Sequence, residues 1–250
     1  MEAWIIHQTK QAVMGNLKGN LKSIDWETAG NEMNEKGYTV VPQLLKKEDC
    51  KQLIGDYSNP LLYRKTITME RYRFGSGEYK YFNYPLPGLI QTIRENIYPH
   101  LATIANSWMN MLNIDRKFPA TLHELQTLCH SSNQTNPTVL ILKYGKGGYN
   151  TLHQDLYGEI FFPLQAVLFL NEPGKDFTGG EFVLTQQTPR AQSKAIVLIP
   201  QKGDMLLFTT NFRPVKGSRG YYRVNVKHGV SELRDGQRHT LGIIFHDALN

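Results

Sequence analysis

Cysteine is scarce in this chain: there are two, Cys50 and Cys129, far apart and in no CxxC pair. That excludes a disulfide scaffold and a thiolate zinc site, and it suits a reducing compartment. Long apolar runs are missing as well. No stretch approaches the ~20 residues that span a bilayer. The opening MEAWIIHQTKQAV has no basic segment followed by an apolar one, so no secretory signal is visible. The expectation is a cytoplasmic protein without a membrane partner. Acidic side chains are outnumbered, 22 against 28 Lys plus Arg, which gives a net charge of +6 and a pI near 9.2. The excess favours anionic partners without naming one. Hydrophobic residues make up 40% and charged residues 20% of the 250 residues, enough for a sizeable core and against disorder.

No repeat or low-complexity tract interrupts the chain, but its character changes near Pro137. Before that point helical patterns dominate. Ser23 to Lys36 reads as a helix stopped by Gly37, Tyr38 to Val41 as a short strand, and Lys47 to Tyr57 as a second helix. From Leu89 to Leu112, apolar residues at spacings of three and four (Ile90, Ile93, Ile97, Leu101, Ile104, Trp108) mark one buried face. Pro99 should kink or split that helix. After Pro137, short apolar or alternating runs are punctuated by Gly, Pro and Asp. Candidate strands are Thr138–Tyr144, Tyr149–His153, Leu164–Leu170, Glu181–Leu184, Ala195–Ile199, Met205–Thr209, Tyr221–Val230 and His239–His246. Short strands with no helices between them predict an antiparallel barrel or jelly roll. The expected architecture is mainly β with helices (α+β). It is a single domain over 1–250, with a helical front half and possible substrate lid at 1–136 and a jelly-roll core at 137–250.

Among eight histidines, only His153 has a carboxylate two residues on, in His153-Gln154-Asp155. Residues two apart on a strand project to one face, so the two side chains can converge on one ion. Two histidines and one carboxylate leave open positions on an octahedral ion, as in non-haem Fe(II) oxygenases. An isolated HxD is common, and without further support a solvated turn at a strand end is the better reading. Support comes from HGVSELRDGQRHTLGIIFH, which begins at His228 and reads as strand, Asp-Gly turn, strand. On the second strand Arg238, Thr240, Gly242 and Ile244 share a face. Arg238 offers a planar fork for a carboxylate, Thr240 adds a hydroxyl, and Gly242 leaves room. An extended dicarboxylate could chelate iron near His228 and meet Arg238 at its other end, as 2-oxoglutarate requires.

These segments resemble the Fe(II)/2-oxoglutarate-dependent oxygenases, in their prolyl-hydroxylase-like branch. KYGKGGYNTLHQD (143–155), VLFLNE (167–172), TGGEFVL (178–184), PQKGDMLLF (200–208) and HGV (228–230) followed by Arg238 run in the family's order. The entry GYTVVPQLLKKEDCKQLI (37–54) is similar to theirs, and the LHQDLYGE and LGIIFHDA blocks resemble a bacterial subgroup of these oxygenases. The resemblance implies a double-stranded β-helix with His153, Asp155 and His228 as metal ligands. It implies that Arg238 binds the distal carboxylate of 2-oxoglutarate, assisted by Thr240 and by the hydroxyl of Tyr144. Cofactors and cosubstrates would be Fe(II), 2-oxoglutarate and O2, with succinate and CO2 as co-products.

Other features have a plain reading beside a functional one. His246 shares the parity of Arg238 and is a candidate substrate contact, or a packed strand-end residue. His239 has the opposite parity and should point away. His7, His100, His123 and His130 read as surface or packed residues. Between Tyr63 and Tyr84, five basic residues interleave with seven aromatics, a pattern that suits a nucleic-acid strand or a structured loop. A second basic stretch, Asn211 to Lys227, carries Arg213, Lys216 and Arg219 and leads into His228, so these three are candidates for the cavity mouth. The substrate expectation is a protein side chain or small molecule to be hydroxylated, with oxidative dealkylation of nucleic acid as the alternative. A cupin-like module that binds metal without turnover is the non-enzymatic alternative.

Overall fold

The computed structural model describes residues 17–249. A helix over 17–22 is followed by four longer ones: α1 (Trp26–Lys36), α2 (Lys47–Asp56), α3 (Gly88–Met111) and α4 (Leu122–Ser131). Helix α1 starts later than the periodicity suggests because Asp25 is its N-cap, accepting from the backbone N–H of Glu27 and Thr28. Gly37 closes it in the left-handed conformation. Helix α3 runs unbroken through Pro99, so of the two expected effects, a kink or a split, the split does not occur. Pro99 and Glu95, whose carbonyl loses its partner, are both exposed, so water can take the missing hydrogen bond.

The strands of the described chain are β1 (Tyr38–Val41), β2 (Tyr63–Thr68), β3 (Gly75–Ser76), β4 (Glu78–Phe82), β5 (Leu140–Tyr144), β6 (Tyr149–His153), β7 (Leu164–Phe169) and β8 (Phe177–Gly179). They continue with β9 (Phe182–Gln187), β10 (Ser193–Leu198), β11 (Met205–Thr209), β12 (Phe212–Gly217), β13 (Gly220–Val230), β14 (Leu233–Gly236) and β15 (Arg238–Ile243). The larger sheet has the order β1-β11-β7-β15-β5-β4-β2 and the smaller β10-β9-β13-β6-β3, with β12 paired to β13. All of these pairs are antiparallel. The result is a jelly-roll core flanked by N-terminal helices.

The front half is not purely helical. Its basic, aromatic segment forms β2, β3 and β4, which extend both sheets. The stretch from His228 to Arg238 is not a hairpin either. Strand β13 belongs to the smaller sheet and β15 to the larger, while β14 between them pairs with β8.

The period of two sorts the core into two layers. Leu164, Ala166 and Leu168 of β7, Met205 and Leu207 of β11, and Leu241 and Ile243 of β15 face α3 and its neighbours. The alternate residues Val167, Phe169, Leu206 and Phe208 pack between the sheets with Phe182, Leu184 and Val226. Both faces of the larger sheet are thus covered, which is why β7, β11 and β15 are buried throughout.

Candidate active site

The register brings the metal-ligating candidates together. His153 on β6 lies directly across from His228 on β13, so their side chains rise side by side. Gly229 lets the strands close, since a Cβ there would stand 2.7 Å from the Asn150 carbonyl oxygen. Asp155, just past the end of β6, places its carboxylate against both rings. His153 Nε2 is 3.6 Å from Asp155 Oδ1, and His228 Nε2 is 3.4 Å from Oδ2. One donor atom from each residue lies within 4.8 Å of the others, the one such cluster among the described residues. His153 Nδ1 is 2.7 Å from the Thr151 carbonyl oxygen. Donation there leaves the Nε2 lone pair free for an ion. Phe182 and Phe208 pack against the His228 ring. Burial, reinforced by His153, lowers the His228 pKa against the pull of Asp155. Burial alone would raise the Asp155 carboxyl. The hydrogen bond from His228, the two imidazoles and the Tyr157 hydroxyl outweigh it and hold the acid well below the usual carboxylate range. A neutral imidazole and an ionised carboxylate suit a divalent cation.

The second cluster faces the triad from the larger sheet. Arg238 on β15 pairs in register with Tyr144 on β5, and both are almost completely buried. None of the three guanidinium nitrogens has a hydrogen-bond partner among the described residues, and neither does the Tyr144 hydroxyl. Burial brings Arg238 down to about 10, opposed by Tyr144 and Glu181. Burial pushes the Tyr144 phenol up to about 12, opposed by Arg238. At neutral pH the pair therefore presents a cation without a partner and a phenol whose proton is free to donate, the Asn150 side chain acting only on its oxygen. Unpaired buried donors of this kind are costly unless a ligand answers them. Arg238, Thr240, Gly242 and Ile244 all line one cavity, as their shared parity requires, together with His153, Asp155 and His228. The cavity holds about 220 Å3. The donor set at one end fits an Fe(II) ion, and the orphaned donors at the other fit a carboxylate.

A family described as "Oxygenase, catalysing oxidative methylation of damaged DNA" matches residues 77–248. The chain belongs to this oxygenase family. An uncharacterised protein of Mycobacterium tuberculosis is 37% identical over 235 residues, covering 94% of this chain and 96% of the relative. Among solved structures, a Pseudomonas putida prolyl-4-hydroxylase aligns at 13% identity and TM-score 0.52, covering 89% of this chain and 100% of that one. A Trichoplax adhaerens prolyl hydroxylase, solved with a peptide fragment of hypoxia inducible factor, aligns at 14% identity and TM-score 0.53, covering 92% of each chain. At such identities the likeness establishes the fold. The fold of this oxygenase is the one seen in the prolyl hydroxylases and other 2-oxoglutarate-Fe(II) oxygenases.

Four substrate candidates fall elsewhere. Arg213 is on β12, not in a loop, and its side chain leaves the barrel toward α1. There it reaches the Gln186 amide oxygen at 3.2 Å and the Asn34 carbonyl at 3.4 Å. Lys216 borders the same shallow groove against α1, and Arg219 sits in the exposed turn that joins β12 to β13. None of the three lines the cavity. His246 is fully buried. Its Nδ1 accepts the Phe162 N–H at 3.1 Å, so it serves as a packed residue behind the site. The strand ends at Ile243; its alternation carries on to Ile244, which lines the cavity, but no longer to His246.

The structure also brings in residues that the sequence reading passed over. The hydroxyl of Tyr157 donates to Asp155 Oδ1 at 2.7 Å, and Gln165 Nε2 donates to Oδ2 at 2.9 Å. Gln165 is the lone polar residue in the apolar run LQAVLF and faces inward with Val167. That break in an apolar strand was its signal. Tyr157 lies in a loop, where no periodicity marks it. His239, as its parity required, faces away and packs on Tyr57. His100 stacks on Trp26, His130 contacts Asp247, and both cysteines are buried and free. His7 lies outside the described residues.

Proposed function

We propose that this chain is an Fe(II)- and 2-oxoglutarate-dependent dioxygenase that hydroxylates a substrate C–H bond, with succinate and CO2 as co-products. His153, Asp155 and His228 would hold the metal, and Arg238 with Tyr144 and Thr240 the distal carboxylate of 2-oxoglutarate. When bound, the ion and cosubstrate supply the oxidising chemistry by coupling O2 reduction to decarboxylation. The chain's own residues orient the dicarboxylate between the two sheets and keep water off it through Val167, Phe182 and Leu142. The observation that carries the reading is the unsatisfied Arg238–Tyr144 pair facing the triad across one cavity. The test is succinate release from 2-oxoglutarate and O2, with Fe(II) binding read separately. His153→Ala and His228→Ala should abolish both. Full turnover and metal binding in either variant would remove the assignment, and a metal-binding module without turnover would release no succinate.

The cavity wall near the triad is apolar and aromatic (Phe74, Tyr79, Leu140, Leu142, Ile244). The reacting group is therefore uncharged, as a protein side chain or neutral small molecule would be. The family's description favours a second reading, dealkylation of damaged nucleic acid. It is supported at the cavity rim. Tyr72 and Phe74 are exposed and stacked, with centroids 5.5 Å apart and planes at 17°. Arg71 and Arg73 beside them are exposed and join no ion pair among the described residues. Rings for bases and cations for phosphates are what a single strand needs. Salt-dependent binding of oligonucleotides, measured beside peptide and metabolite turnover, separates the two.

A further inference from the structure

Asp155 is fastened more completely than a ligand at the end of a strand needs to be for folding alone. Its backbone N–H donates to Thr210 Oγ1 at 2.9 Å. Each carboxylate oxygen then has one histidine on one side and one fixed donor on the other. Oδ1 takes the Tyr157 hydroxyl at 2.7 Å and faces His153, while Oδ2 takes the Gln165 amide at 2.9 Å and faces His228. The donors come from different elements, a loop and β7 of the larger sheet, so the carboxylate is held from two separate points of the fold. The phenol is itself held. The Tyr81 hydroxyl donates to the Tyr157 oxygen at 3.4 Å, and the Arg64 guanidinium lies 4.8 Å over the Tyr81 ring. The hydroxyls of Tyr81 and Tyr157 thus point their protons in one direction, toward Asp155, and each bond polarises the next.

We propose that Tyr157 and Gln165 are positioning residues that clamp the Asp155 carboxylate for the metal, with Tyr81 backing Tyr157. This rests on the metal-site reading above. A carboxylate free to rotate about its last bond could turn either oxygen, or both, toward an ion between the histidines. With one lone pair of each oxygen engaged by a fixed donor, that rotation is stopped. Negative charge on the ligand is also drawn toward the donors, so the clamp sets how strongly Asp155 donates to the metal. Tyr157 and Gln165 both act through Asp155.

The test reads Co(II) binding to the apo-protein by its visible d–d absorption, so it does not depend on turnover. Tyr157→Phe keeps the ring and deletes the hydroxyl. Gln165→Met keeps the shape and deletes the amide. Partners of metal ligands are typically worth about 10- to 100-fold in affinity. Each variant should weaken Co(II) binding within that range and shift the d–d bands, while the melting temperature of the apo-protein stays close to the parent's. Tyr81→Phe should cause a smaller loss in the same direction, and none once Tyr157 is already Phe. Parent-like affinity and spectrum in Tyr157→Phe and Gln165→Met would overturn the clamp, including the case in which only the melting temperature falls. His153→Ala is the control for the underlying reading. If it too binds Co(II) like the parent, the metal site has been misplaced. If it alone loses binding, only the clamp fails.

Discussion

Arg238 carries its charge into a site where nothing among the described residues answers it, and on the proposed reading that sets the energetics of cosubstrate binding. The desolvation of the guanidinium has already occurred in the folded apo-protein, so a carboxylate arriving there gains the charged hydrogen bonds without that further cost. A charged hydrogen bond is worth about 1.5–3 kcal/mol, so Arg238→Ala should raise the KM for 2-oxoglutarate roughly ten- to more than a hundredfold. Metal affinity should stay near the parent's, because Arg238 is on the opposite sheet from the triad. Arg238→Lys should recover part of the loss, keeping the charge but not the fork. Steady-state kinetics in 2-oxoglutarate with a parallel metal titration checks both, and an unchanged KM in Arg238→Ala would place the distal carboxylate elsewhere. Gly180 supports this residue from behind. It adopts φ +63°, and a Cβ there would come within 2.3 Å of Leu233 Cδ1 and 3.1 Å of Arg238 Cδ. Glycine is what allows the guanidinium to lie where it does.

At the scale of elements, what could be read from the chain is what local pattern encodes. Strands β6, β7 and β11 were legible because glycine and proline turns bracket short apolar runs, and the inward face of β15 was legible from alternation alone. Pairing across the molecule was not. Nothing local distinguishes a hairpin from His228 to Arg238 from the observed path, in which β14 leaves to pair with β8. The two ends of that stretch still meet, because the sheets stack rather than adjoin. Strands β2, β4 and β12 were hidden by their charges. Lys65, Lys80 and Lys216 read as loop residues, yet β2 and β12 are edge strands, which tolerate lysine well, and Lys80 on the inner strand β4 lies over the Tyr57 ring. The consequence for substrate is testable. Reversing the charge of Lys216 and Arg219 should leave kcat/KM and its salt dependence unchanged, since neither lines the cavity. Tyr72→Ala and Phe74→Ala should instead weaken oligonucleotide binding, by about 1–3 kcal/mol per stacked base if nucleic acid is the substrate. Steady-state kinetics at several salt concentrations checks the first set, and fluorescence anisotropy of labelled oligonucleotides the second. Unaltered binding in the aromatic variants would leave the nucleic-acid reading without a contact surface at the cavity rim.

At the scale of the whole molecule, histidine burial couples stability to pH. His239 and His246 are almost completely buried. Burial, joined for His239 by the charge of Lys143, brings each down to about 4; for His246, Asp155 opposes the shift and Arg94 adds to it. His228 is lowered as well. A base whose folded pKa lies below its unfolded value binds fewer protons when folded, so stability rises with pH between the two values. The stabilising contribution is complete above about pH 6.5, the ordinary histidine value, and is lost as pH falls toward 4. At pH 5 the shifts of His239 and His246 correspond to about 2 kcal/mol each. Asp155 works in a different window. Its folded pKa is depressed, so its contribution is lost only below the ordinary carboxylate range near 4. Between pH 7 and 5 the histidines therefore decide the slope, and the melting temperature of the apo-protein should fall by roughly 10 °C, at about 2–4 °C per kcal/mol for a chain of this size. His246→Asn offers its amide oxygen to the Phe162 N–H in place of Nδ1 and cannot protonate. That variant should flatten the melting curve's pH dependence by about half, whatever its effect on stability at pH 7. A melting temperature that stays level from pH 7 to pH 5 in the parent would mean that these rings meet solvent before they titrate, and the packed role assigned to His246 would go with it.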